Sequence, residues 1–83
     1  MSKLYFASTA PTNVRQQAKL GGGFFTVEEG VKSELFYHDS EELSSIQERA
    51  EELLGEPAVK IVVGHYESTN GGMCYFSQDE RIL

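Results

Sequence analysis

His65, Glu67 and Cys74 stand close together near the C-terminal end of an 83-residue chain. A thiol nucleophile, a base and an orienting carboxylate would need those side-chain types. Whether they meet depends on the turn between two strands. A two-residue turn at Asn70-Gly71 sets Glu67 opposite Cys74 and His65 opposite Phe76, with all three polar groups on one face. A three-residue turn shifts the pairing by one and separates them. The same face carries Val59, Ile61 and Val63, so Cys74 also reads as a small core residue with His65 and Glu67 at the sheet rim. That structural reading is preferred here.

Two other constellations invite chemistry. His38 precedes Asp39, and a histidine beside a carboxylate can act as a general base. Asp39, however, is placed to cap a helix and His38 to end a strand, and the capping reading is preferred. Gly21-Gly22-Gly23 would suit a phosphate cradle if a helix N-terminus followed, but Phe24-Phe25-Thr26-Val27 is strand sequence and no Lys-Ser/Thr follows the glycines. A helix stop and a pliant entry into a strand is the simpler account. Two histidines, one cysteine and scattered acids match neither CxxC nor HExxH spacing, so neither a metal nor a cofactor is expected.

The elements that must position these groups follow from hydrophobic spacing. Residues 3–8 read as a strand, and residues 12–20 as a short helix stopped at Gly21 or as an irregular loop. Residues 25–38 read as a hairpin with Glu29-Gly30 at its tip. The helix expected over residues 40–54 has Asp39 as N-cap, with Glu42 completing a capping box. Leu43, Ile46, Ala50, Leu53 and Leu54 form its apolar face, and Gly55 and Pro57 end it. A β-branched run from Val59 and the returning segment from Met73 make a second hairpin. The expected fold is a single α+β domain over residues 1–83, an antiparallel sheet of about five strands with one main helix. The preferred topology is ferredoxin-like βαββαβ with one added strand.

Composition bounds the function. The net charge is −6, with +3 carried by residues 1–23 and −9 by the rest. That balance disfavours direct contact with nucleic-acid phosphates and favours a basic partner, or serves solubility alone. Lone Cys74 excludes an internal disulfide framework and, with no signal-peptide core or membrane span in view, a cytoplasmic protein is expected. Along the helix, Glu41, Glu48 and Glu52 fall on one side, flanked by Glu51 and Glu42 and offset only by Arg49. Glu48 and Glu52 repel at i, i+4. In the two-residue-turn register Tyr66 and Tyr75 are cross-strand neighbours on the face opposite the valines, available as aromatic anchors.

In size, acidity, want of a catalytic signature and hairpin-rich α+β layout, the chain resembles the small inhibitor proteins that phages make against host defence, the anti-CRISPR proteins among them. The resemblance is one of type and implies a non-enzymatic inhibitor or adaptor that blocks a basic, nucleic-acid-handling protein. Glu41, Glu48, Glu51, Glu52, Tyr66 and Tyr75 are the expected contact residues. The alternative is a small ferredoxin-like enzyme or ligand-binding domain using His65 and Cys74, dimeric in form. A homodimer joined through a sheet edge is the third reading.

Overall fold

The computed structural model describes residues 2–11, 15–19, 24–26, 29–68, 71 and 73–83, with backbone alone at 15–19, 24–26 and 73–74. Among the described residues, six strands and one helix follow in the order β1 (Lys3–Ser8), β2 (Arg15–Lys19), β3 (Phe24–Thr26), β4 (Ser33–His38), α1 (Leu43–Leu54), β5 (Lys60–Ser68) and β6 (Met73–Arg81). The fold is α+β, and every strand pairing is antiparallel. Four strands, β4-β1-β5-β6, make the main sheet, and β2 followed by β3 extends it beyond β6.

Both faces of that sheet are apolar, for the reason strand alternation gives. Tyr5, Ala7 and Ile61 point to one side with Phe36, where Ile46, Ala50 and Leu54 of α1 cover them. Leu4, Phe6, Val62 and Phe76 form a second cluster on the other side. Tyr5 stacks on Phe36 at 5.7 Å between ring centroids, and Phe6 meets Phe76 at 6.2 Å. β4, α1 and β5 form a split β-α-β unit with β1 lying between its two strands.

The segment expected as a helix or loop over 12–20 is a strand across 15–19, pairing with Tyr75, Cys74 and Met73 of β6 on one side and with β3 on the other. Positions 12–14, Leu20 and the glycines 21–23 lie outside the described residues. Arg15-Gln16-Gln17-Ala18-Lys19 has no apolar stripe to hold a helix against the sheet, and the unpaired ladder of β6 outweighs its weak local preference. With that helix absent, the βαββαβ order is not formed. The expected hairpin at Glu29-Gly30 is also replaced. Gly30 does take a left-handed φ of 81°, but β3 pairs with β2 while β4 pairs with β1.

Helix α1 begins at Leu43 rather than residue 40, with Glu42 at the N-cap and no side-chain cap bond. The Asp39 to Glu42 capping box does not form, because local groups take those roles. Ser40 Oγ accepts from the Glu42 N–H at 3.1 Å, and the Asp39 carboxylate accepts from Ser2 Oγ. Leu43, at the first helical position, is 39 % exposed, so the buried face starts at Ile46. The other end follows the sequence signal: Gly55 at φ 73° donates its N–H to the Glu51 carbonyl at 2.8 Å.

Candidate functional site

Glu67 stands opposite Tyr75, and His65 opposite Ser77, the pairing that a three-residue turn gives. Cys74 pairs with Ser68, out of step with Glu67, so the His65, Glu67, Cys74 row does not form. Tyr66 faces Phe76 across the hairpin, which leaves Tyr66 and Tyr75 on opposite faces rather than side by side. Val59 precedes β5 and is 45 % exposed, whereas Ile61 and Val63 lie on the helix-covered face.

The same register assembles a different cluster. Gly64 pairs with Gln78 and Val63 with Glu80, so Asp79 is the extra residue of a β-bulge. His65 Nδ1 lies 2.9 Å from an Asp79 carboxylate oxygen, and its Nε2 lies 2.8 Å from Glu67. Tyr75 donates its hydroxyl to the second oxygen of Glu67. The bond to Asp79, then the bond to Glu67, raises the His65 pKa above its ordinary value. Glu67 is held below the usual carboxylate range by Tyr75 and then His65, and Tyr75 is raised by Glu67. In its protonated form the ring donates to both carboxylates, and an imidazolium has no lone pair to offer as a base. Protonated, His65 makes an ion-pair brace between β5 and β6 on their exposed surface.

Sequence reasoning misses Asp79 because a bulge cannot be read from alternation. The available signal is Gly64 inside a β-branched run, where glycine often marks a bulge or a close backbone approach. His38-Asp39 is not a dyad either. His38 Nδ1 accepts from the Ser40 N–H at 3.0 Å, while Asp39 is engaged by Ser2.

The acidic helix face divides into structural and solvent-facing carboxylates. Glu51 is half-buried and accepts from the Ala58 N–H at 2.9 Å, tying the chain after the helix back onto it. Glu41, before the helix, pairs with Lys3, which lowers the Glu41 pKa and raises that of Lys3. Glu52 pairs with Arg49 at 2.9 Å. Glu48 is exposed and makes no ion pair among the described residues. A groove of about 210 Å³ runs between Glu48, Glu52 and Ser45 of α1 and His38 at the end of β4. A larger open cleft of about 570 Å³ lies where β1 begins, lined by Leu4, Tyr37, Tyr66, His65 and Asp79 among others. Tyr37 and Tyr66 are 63 % and 45 % exposed.

No group of three or more His, Cys, Asp or Glu side chains among the described residues is arranged to hold a metal ion. No described helix is long and apolar enough to cross a membrane. Comparison with protein-family models, curated proteins and solved structures finds no match.

Proposed function

We propose that the chain is a non-enzymatic protein-binding module, an inhibitor or adaptor acting in the cytoplasm. Its acidic surface occupies a Lys/Arg-rich face of a larger nucleic-acid-handling protein and blocks it by bulk. The observation that carries this reading is the outer side of α1, where Glu48 and Glu52 are exposed and Arg49 is the only cation of the helix. Unbalanced acid at i, i+4 is unfavourable for the isolated helix, and a basic partner relieves it. The occupied nitrogens of His65 weigh against general-base chemistry at the other cluster. The likeness of type to phage anti-defence inhibitors points the same way.

Opposite charges facing one another steer encounter, so association slows as salt screens them. The test is affinity capture from a cytosolic extract with the parent and with a Glu48→Lys/Glu52→Lys variant, folding of both being verified by circular dichroism. The reading expects the parent to retain a basic nucleic-acid-binding protein that the folded variant loses. Retention of the same protein by both refutes it.

A further inference from the structure

β4 is the outermost strand on one side of the sheet, and among the described residues no strand pairs with its far edge. Its six residues, SELFYH, contain no proline, no lysine and no bulge, three of the devices by which sheets blunt an open edge, and Glu34 is its one carboxylate. The helix groove lies against this same strand, because His38 forms one wall and Ser45, Glu48, Arg49 and Glu52 of α1 form the other. The acid of α1 is therefore beside an open hydrogen-bonding edge. Alternation divides the strand cleanly. Phe36 packs under the helix, which puts Glu34 and His38 on the helix side, and Leu35 packs with the other cluster, which puts exposed Tyr37 beside it.

We infer that an extended basic segment of the partner pairs with the outer edge of β4. Its Lys or Arg residues, at alternate positions, lie on the helix side against Glu34, Glu48 and Glu52. Its intervening apolar residues cover Leu35 and Tyr37. Strand addition of this kind takes affinity from main-chain hydrogen bonds and specificity from the alternating side chains. Charge selects the occupant: the groove beside His38 carries Glu48 and Glu52 with one guanidinium, Arg49, already bound to Glu52, so a cationic strand is drawn in. A second copy of a chain with net charge −6 is repelled. The inference rests on the acidic-surface reading and adds the backbone recognition that the helix alone does not supply.

The test uses the full chain and four peptides: acetyl-KVRVKV-amide, the block-ordered acetyl-KRKVVV-amide, and two N-methylated forms of the first, one on the Val nitrogens and one on the Lys and Arg nitrogens. Binding is followed by amide chemical shifts and by anisotropy of labelled peptide. The expected result is ordered shifts across residues 33–38. One N-methyl isomer, the one whose blocked N–H groups face β4, should lose about tenfold or more in affinity. The other isomer and the parent peptide should bind alike. Equal binding by the block-ordered peptide, equal behaviour of the two isomers, or no binding at all overturns the inference. So does a dimer of this chain that the peptide disperses, because it assigns the edge to a second copy. Shifts confined to α1 remove the edge pairing and leave the acidic-surface reading intact. That reading fails separately if the Glu48→Lys/Glu52→Lys variant captures the same partner as the parent.

Discussion

Replacing Gly64 with Ala tests the hairpin that carries the His65 brace. A Cβ at Gly64 falls 2.2 Å from the Ser77 carbonyl oxygen and 2.5 Å from the nearest ring carbon of Phe76. The ring has some freedom to turn, but the carbonyl belongs to the backbone of β6. A carbon to carbonyl-oxygen contact relaxes to about 3.3 Å or more, so the strands must part by roughly 1 Å. Overpacking of this kind costs about 1–3 kcal/mol, and each ladder bond stretched open adds about 1 kcal/mol. A total of about 3 kcal/mol is a large share of the roughly 4–12 kcal/mol expected for a domain of this length. It lowers Tm by roughly 12–24 °C. Gly55→Ala is the comparison. Its φ of 73° disfavours a side chain but the space around it is open, so about 1 kcal/mol and a drop of about 4–8 °C are expected. Thermal unfolding by circular dichroism reads both. A Gly64→Ala protein that melts within about 4 °C of the parent, or above Gly55→Ala, refutes the close approach and with it the bulge that aims Asp79 at His65.

Four further outcomes follow. The folded His65 pKa is raised, so its contribution to stability is fully present below the ordinary histidine value and is lost as pH rises through the folded pKa. His65→Gln should therefore lower Tm more at pH 6 than at pH 9, and a proton NMR titration should place the His65 midpoint above that of an exposed histidine peptide. Glu67 has the opposite sign, since its lowered pKa gives stability that is lost as pH falls through the folded value, so Glu67→Gln should flatten the acid limb of the unfolding profile. Glu51→Ala leaves the buried Ala58 N–H without its acceptor and should cost about 1–2 kcal/mol in urea unfolding, whereas Glu51→Gln retains most of that stability. Glu48→Gln relieves repulsion of Glu52 and should raise stability by about 0.2–0.5 kcal/mol while weakening partner capture, separating the surface's function from its folding.

The main helix is legible because its signals are local and agree. Ile46, Ala50 and Leu54 repeat at helical spacing, and Gly55 supplies the left-handed stop. Its start is not legible, because Ser40 and His38, rather than Asp39, satisfy the entering backbone. β1 and β5 are likewise readable from their β-branched and aromatic alternation. β2 is not, since Gln16-Gln17-Ala18 becomes a strand through a ladder with β6 that is remote in sequence. For the site, the acidic stripe is visible as spacing, but whether a carboxylate is structural depends on a contact such as Glu51 to Ala58. The His65 brace depends on a one-residue register shift and a bulge, and alternation alone carries neither. Tyr66 and Tyr75 show the consequence: a single shift sends two expected neighbours to opposite faces.

The central claim is that exposed acid on α1 meets a basic surface, and the salt dependence of association with a captured partner tests it most directly. Screening lengths shorten from about 30 Å at 0.01 M salt to about 8 Å at 0.15 M. The parent should therefore bind about tenfold or more slowly across that range. The Glu48→Lys/Glu52→Lys variant should start slower and vary less. An on-rate for the parent that is independent of salt, or equal to that of the variant at every salt concentration, contradicts the account.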